Sequence, residues 1–292
     1  MGRPRKYKAV TGALIEELID EKESWAKSNT IKGNHALISQ LKQFMGSDFE
    51  SQIFTPNTCK QFAKFLTLKL KSSTVREYIQ QLAAIFTSAE KQGIIKASPM
   101  PDIASILPKR QEAERVFLTK EELNTLRNTP CSHQSTKLAF LFSCYTGLSL
   151  LDIETLVWNN IKATEKGIVL VKAQERTGIE VHVPLGSPAT KILQEIEKIP
   201  HRTDDTRVFH LLGRTSLATD LKAWAKDAHV NKNISFAVGR HTFATMAISA
   251  GVDLFVVSKG CGHANVQATQ VYVDMLKAKP NTDWDVMNTM FS

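Results

Sequence analysis

Between Ser235 and Tyr272 the chain reads SFAVGRHTFATMAISAGVDLFVVSKGCGHANVQATQVY, and three side chains in it are suited to opening a phosphodiester together. A tyrosine hydroxyl such as Tyr272 can displace a sugar oxygen from phosphorus when it lies in line with that leaving group, and negative charge then builds on the nonbridging oxygens. Arg240 offers a planar fork of donors that matches two such oxygens. His263, 23 residues after Arg240 and nine before Tyr272, would add a further hydrogen bond. A lone tyrosine is more often a half-buried anchor, so it is the combination that carries the argument. His241 sits beside Arg240 but points about 100° away from it on a helix, and is expected to face the domain interior and buttress the site rather than act as a base.

Placing these groups requires a scaffold, and the chain reads as mainly α. Val75, Tyr78, Ile79, Leu82, Ile85, Phe86 and Ala89 recur at three- and four-residue steps, which predicts a helix over Thr74 to Gln92 that stops at Gly93. A second stripe, Phe62, Phe65, Leu66 and Leu70, follows Pro56 at a helix start. Pro99, Pro101 and Pro108, with Lys109 and Arg110, mark a linker. Beyond it Thr119-x-x-Glu122 is a capping box that opens a helix. From Ala163 to Leu185 the pattern changes to β-branched runs, Ile168 to Val171 and Ile179 to Val183, around Arg176-Thr177-Gly178, which predicts a β-hairpin or three short strands. Helical signals resume at Ala189. The expected division is a flexible basic arm at 1–12, a helical module at 13–105, a linker at 106–116 and a larger module at 117–292.

The 292 residues are 42% hydrophobic, 23% charged and 8% aromatic, which excludes a disordered tail or a fibrous repeat. The best apolar stretch, Leu138 to Leu151, is broken by Ser143, Thr146, Gly147 and Ser149, so no membrane span is expected. MGRPRKYK has charge without an apolar core, unlike a secretory signal, and lacks the hydroxyl residue of a myristoylation site. Four scattered cysteines without a CxxC pair fit a reducing compartment and argue against a zinc cluster or disulfide framework. A cytoplasmic protein without metal or cofactor is expected. Lys and Arg number 37 against 29 Asp and Glu, for a net charge of +8. Residues 1–110 hold 17 basic and 10 acidic residues, and the remainder 20 and 19, so the excess lies in the first module. That distribution favours a polyanionic partner, a phosphate backbone gripped by one module while the other does something else, over a solvated surface that is merely uneven in charge. Arg3, Arg5, Lys6 and Lys8 around Pro4 form a candidate DNA-binding arm, whose GRP-R-K string resembles a minor-groove AT-hook.

Taken in order, these motifs resemble the tyrosine recombinase, or phage integrase, family over almost the whole chain, in particular the branch found in conjugative transposons. The resemblance is carried by the helix over Thr74 to Pro99, by Phe117-Leu118-Thr119, by Thr146-Gly147-Leu148 heading the first catalytic helix, and most specifically by Arg240-His241-Thr242-Phe243-Ala244-Thr245, Gly262-His263 and Tyr272. It implies a SAM-like helical core-binding domain and a mixed α/β catalytic domain that close on DNA as a C-shaped clamp. It also implies a 3′-phosphotyrosyl intermediate that reseals without ATP or metal, with two protomers on a core site and four in a synapse. The segment Val273 to Ser292 would pack against a neighbouring protomer or fold back on its own domain.

Three positions depart from that pattern. Ser149 stands where the family has its first phosphate-binding arginine, and Ala237 where it has His or Lys three residues before the second. In the hairpin the general-acid lysine is replaced by Arg176, whose delocalised guanidinium is a poor proton donor, with Lys172 a few residues earlier. Removing one preorganised donor costs about 3 kcal/mol, so two losses bear directly on activity. Arg176 or Lys172 could restore the charge missing at Ser149, whereas Ala237 has no evident substitute. Gly260-Cys261 in place of the usual Leu-Leu is expected to loosen the helix ahead of His263. The leading reading is site-specific DNA recombination and integration, as for a mobile genetic element, with a partly degenerate site. Its alternative is an integrase-like DNA-binding protein that has lost cleavage and acts as an accessory or regulatory factor. A monomeric topoisomerase of related chemistry fits the order of motifs less well.

Overall fold

The computed structural model describes residues 7–23, 28–109, 115–165, 167–197 and 203–277, with side chains left out at 22–23, 28–30 and 274–277. The chain divides into two compact units, residues 1–113 and 114–292, each with its own apolar core.

The first unit holds α1 (Gly12–Glu23), α2 (Ser28–Met45), α3 (Pro56–Thr67), α4 (Ser72–Lys91) and the single turn α5 (Ile103–Ile106). Pro56 opens α3 where its missing N–H costs nothing, behind a Thr55 hydroxyl that accepts from the Thr58 amide. The apolar stripe of α4 packs inward: Val75, Ile79, Leu82, Ile85, Phe86 and Ala89 are buried and Tyr78 is half-buried. α4 ends where the sequence predicts, because Gly93 takes a left-handed φ of +71° and its amide and that of Ile94 return to the carbonyls of Glu90 and Ala89, a Schellman closure. Residues 8–12 differ from the flexible arm expected of them. The Lys8 amide donates to Ile94 O at 2.8 Å, the Phe54 amide donates to Val10 O at 2.7 Å, and Val10 is buried. The arm was read from its charges, but Val10 supplies an apolar anchor that brings this stretch onto the bundle. Arg3, Arg5 and Lys6 lie outside the described residues.

The second unit contains α6 (Lys120–Asn128), α7 (Gln134–Thr146), α8 (Leu150–Glu154), three strands, α9 (Ser187–Ile196), α10 (Arg214–Asp227), α11 (Phe236–Ser249), α12 (Leu254–Gly260) and α13 (Gln267–Lys277). The capping box at Thr119 and Glu122 is formed in both directions. Strands β1 (Ile161–Thr164), β2 (Gly167–Ala173) and β3 (Glu180–Pro184) make an antiparallel meander in which Leu170 pairs with Val183 and Lys172 with Val181. Helix α7 is the spine of the core. Phe140 meets Trp224 and Phe236 edge-on at 5.8 and 5.9 Å, and Phe142 meets Phe209 at 5.3 Å. Burial on every side explains why Leu138 to Cys144 reads as a continuous apolar run. Among the described residues no helix is long and apolar enough to cross a membrane.

Helices α7 and α11 approach closely because Gly239 faces Ser143, where a Cβ would lie 2.9 Å from the hydroxyl. Gly147 ends α7 rather than heading a helix. It sits at φ +74° with its α-carbon against the Phe243 ring, and an added Cβ would come within 2.5 Å of that ring. Gly147→Ala combines a left-handed cost of about 1 kcal/mol with displacement of Phe243, and is expected to lower unfolding free energy by about 2 kcal/mol or more. Urea unfolding checks this: the midpoint should fall at unchanged slope, and an unmoved midpoint would show that the turn relaxes freely.

Candidate active site

Arg240 lies one turn inside α11, which the Ser235 hydroxyl caps by accepting from the Val238 amide. Its guanidinium bridges two backbone carbonyls from different parts of the unit, donating to Gly147 O at 3.2 Å and, through Nη2, to Cys261 O. No carboxylate pairs with it among the described residues. The fork is therefore oriented by dipoles that leave its charge uncancelled. His241 turns the other way. Its Nδ1 lies 3.1 Å from Val116 O, while the neighbouring Thr242 hydroxyl accepts from the Leu118 amide at 2.9 Å, so the start of the unit is fastened to the inner face of α11. The 100° step between adjacent helical residues separates the two roles.

His263 follows the closure of α12. That helix runs unbroken through Gly260, and Gly262 at φ +59° forms a Schellman end in which the Gly262 amide donates to Lys259 O and the His263 amide to Ser258 O. Its Nδ1 lies 2.7 Å from the hydroxyl of Thr269, a fully buried residue three positions before Tyr272 on α13. Burial and the nearby Arg240 charge push the imidazole down to a pKa of about 4, so the ring is neutral at physiological pH. Tyr272 is only 3% exposed. Its ring lies between the two histidines, near-parallel to His263 at 6.1 Å and tilted against His241 at 5.6 Å, with Ala244, Val257 and Cys261 around it. Burial and the Cys261 thiol raise the phenol pKa, against the nearby Arg240 guanidinium, which pulls it down.

The hairpin turn supplies further charge. Lys172 is 7% exposed on β2, and its Nζ lies 3.0 Å from Glu175 Oε1, which also accepts from the Thr155 hydroxyl. Those two donors hold the Glu175 carboxyl below its usual range. The Glu175 amide donates to Asp152 Oδ1 at 2.9 Å, and Asp152 Oδ2 lies 2.5 Å from the Ser149 hydroxyl. Ser149 thus opens α8 in a capping box and has no charge to offer. Arg176 is exposed at the tip of the turn. Ala237 is exposed in the first turn of α11. Lys8 is far along the chain from these groups, in the other unit, and its ammonium pairs with Glu17 at 2.7 Å. Among the described residues no group of His, Cys, Asp and Glu forms a metal cluster.

Of the residues singled out from sequence, Tyr272, Arg240 and His263 come together, while Lys172 and Ser149 are joined through Glu175 and Asp152. Thr269, Asp152 and the carbonyls of Gly147 and Cys261 were missed. Thr269 was open to discovery from its spacing, three before Tyr272 on one helix. Backbone acceptors leave no trace in residue type.

The Phage integrase family pattern matches residues 116–279, and the Phage integrase SAM-like domain matches residues 12–106. A tyrosine recombinase XerD from Listeria monocytogenes is 26% identical over 280 residues, covering 88% of this chain and 91% of that protein. A tyrosine recombinase XerC from Oceanobacillus iheyensis is 28% identical over 287 residues, covering 90% of each. Two solved structures share the fold. A lambda integrase dimer bound to a COC′ core site superposes with TM-score 0.75 at 15% identity, covering 94% of this chain and 99% of that one. The Tn1549 transposon integrase in complex with a circular intermediate DNA gives 0.67 at 19% identity, covering 90% and 95%. The chain belongs to the phage integrase family, the tyrosine recombinases, with a SAM-like first domain and an integrase catalytic domain.

The depressed His263 pKa has a stability consequence with a definite sign. An imidazole neutral in the folded state and charged when unfolded costs stability as pH falls from about 6.5 toward 4, because the unfolded chain then binds the extra proton. Half-buried His241 shifts the same way. Denaturant midpoints across that window are expected to drop for the native protein and to drop less for His263→Asn; equal slopes would refute the assignment.

Proposed function

We propose that the chain performs site-specific recombination of double-stranded DNA through a 3′-phosphotyrosyl intermediate. The observation that supports this is the convergence of the Tyr272 hydroxyl, the unneutralised Arg240 fork and neutral His263. Arg240 grips the scissile phosphate through two nonbridging oxygens, exchanging carbonyl contacts for charged ones as the transition state forms. With the Thr269 hydroxyl donating to Nδ1, the remaining ring proton of His263 sits on Nε2 and is free to bond the phosphate. Tyr272 attacks phosphorus, the 5′ oxygen leaves, and the bond energy stays in the aryl phosphodiester until another 5′-hydroxyl reverses the step. In the resting arrangement the phenol is covered, so attack requires α13 to shift and present it.

Lys172 supplies the charge that Ser149 lacks. It reaches the neighbourhood of Ser149 through the Glu175–Asp152 chain, and a phosphate taking the place of the Glu175 carboxylate keeps the buried ammonium paired. Arg176, at the tip of the same turn, makes a second phosphate contact. The helical module, near 13–105, grips the duplex with its basic excess, aided by Arg3, Arg5, Lys6 and Lys8, and residues 117–292 carry the chemistry. Two protomers occupy a core site and four form a synapse, in the cytoplasm and on nucleoid DNA.

Nicked suicide duplexes bearing the core site test the reading. A covalent adduct on a denaturing gel, absent for Tyr272→Phe, is the expected result; specific binding without an adduct would instead point to the accessory role. Lys172→Met is expected to slow adduct formation on the order of 10²-fold, as loss of a preorganised donor does, with DNA affinity nearly unchanged. Ser149→Arg with Ala237→His should accelerate it, although Ser149→Arg also gives up a helix cap worth about 1 kcal/mol.

A further inference from the structure

Gln174 is 4% exposed at the end of β2 and has no part in the chemistry above. Its backbone closes the hairpin, donating to Ile179 O at 2.9 Å and accepting from the Gly178 amide at 2.8 Å. Its side chain reaches out of the hairpin: Nε2 donates to Cys261 O at 2.7 Å, 87 residues away, while Oε1 lies 3.5 Å from the Thr177 hydroxyl of the same turn. The same carbonyl takes Nη2 of Arg240, so its two lone pairs serve one donor from the hairpin and one from α11. Thr177, in the same turn, donates to Gly262 O at 3.4 Å. Gly262 packs so tightly on Gln174 that a Cβ there would come within 2.4 Å of the amide carbon.

We propose that Gln174 is a positioning residue: its amide locks the β2–β3 turn onto the Cys261–His263 segment and, through the shared carbonyl, fixes Arg240. The consequence for cleavage rests on the recombinase reading; the structural role does not. A polar side chain this buried is held for its hydrogen bond, and a shift of about 1 Å at a phosphate clamp costs on the order of 10²-fold in rate.

Gln174→Met keeps volume and removes the donor. In the free protein, the His263 ring, followed by NMR titration, is expected to move up from about 4 as its segment loosens away from Arg240. On the nicked duplex the adduct rate should fall between about tenfold and 10²-fold at unchanged DNA affinity. In an Arg240→Lys background the same substitution should cost less than about threefold, since a residue acting through Arg240 cannot be additive with it. Gln174→Glu provides a second variant should Gln174→Met fold poorly. It is slow when ionised and regains rate from about pH 8 to about pH 6 as burial favours the protonated, donating carboxyl. An unmoved His263 titration with a native adduct rate in Gln174→Met would overturn the proposal. Absence of any adduct from the native protein would overturn the recombinase reading, while the His263 titration would still decide the role of Gln174.

Discussion

The half-buried charge of Arg240, unpaired among the described residues, is the constraint around which the second unit is arranged. A guanidinium taken partly out of water is normally matched by a carboxylate, and removing that partner leaves a costly charge. Here two backbone carbonyls orient it, one from the αL turn after α7 and one from the closure of α12. Carbonyl dipoles satisfy the N–H groups without cancelling the charge, so the field remains for an anion. The neighbours record that field. It helps to keep His263 neutral, and it draws down the Tyr272 phenol against the upward pull of burial. The two glycines at +74° and +59° belong to the same device, since each ends a helix so that a carbonyl faces Arg240.

How much of this could be read beforehand depended on whether a feature repeats along the chain or is assembled across it. The α4 stripe, the Thr119 capping box and the β-branched runs either side of Arg176 are local patterns set by helical and strand periodicity, and each folds as its spacing demands. Arg240, His263 and Tyr272 were legible because residue type and order carry the chemistry. The contacts that hold them were not. Cys261 contributes a carbonyl, which any residue would have, and Gln174 matters only because the turn it closes lies against Gly262. Residues 8–12 were misjudged for a related reason: four nearby charges outweighed one valine whose burial depends on the bundle it meets.

Tyr272 presents a conflict between stability and reactivity. Burying the ring between two histidines and against Cys261 gains apolar contact, but the same packing covers the nucleophile and raises its pKa. A phenol held there is inert toward water and stray phosphates. Freeing it means giving up part of that cluster, and the binding energy of a long polyanion is a natural source for the cost, because phosphate contacts are made whether or not the bond is broken.

The same reasoning bears on the degenerate positions. Ser149 is not a gap in the site. Its hydroxyl caps α8 together with Asp152, and Asp152 in turn holds the backbone of the turn that carries Glu175 and Arg176. An arginine at 149 would deliver charge from α8 directly. With serine there, the charge in the proposed reading comes from β2, on Lys172, through a hairpin held by Asp152 at one side and by Gln174 at the other. In that reading the cation moves from a helix to a strand of the hairpin, which ties activity to how firmly the hairpin is docked. Ala237 has no comparable relay: it is exposed in the first turn of α11, where a methyl group offers neither charge nor hydrogen bond.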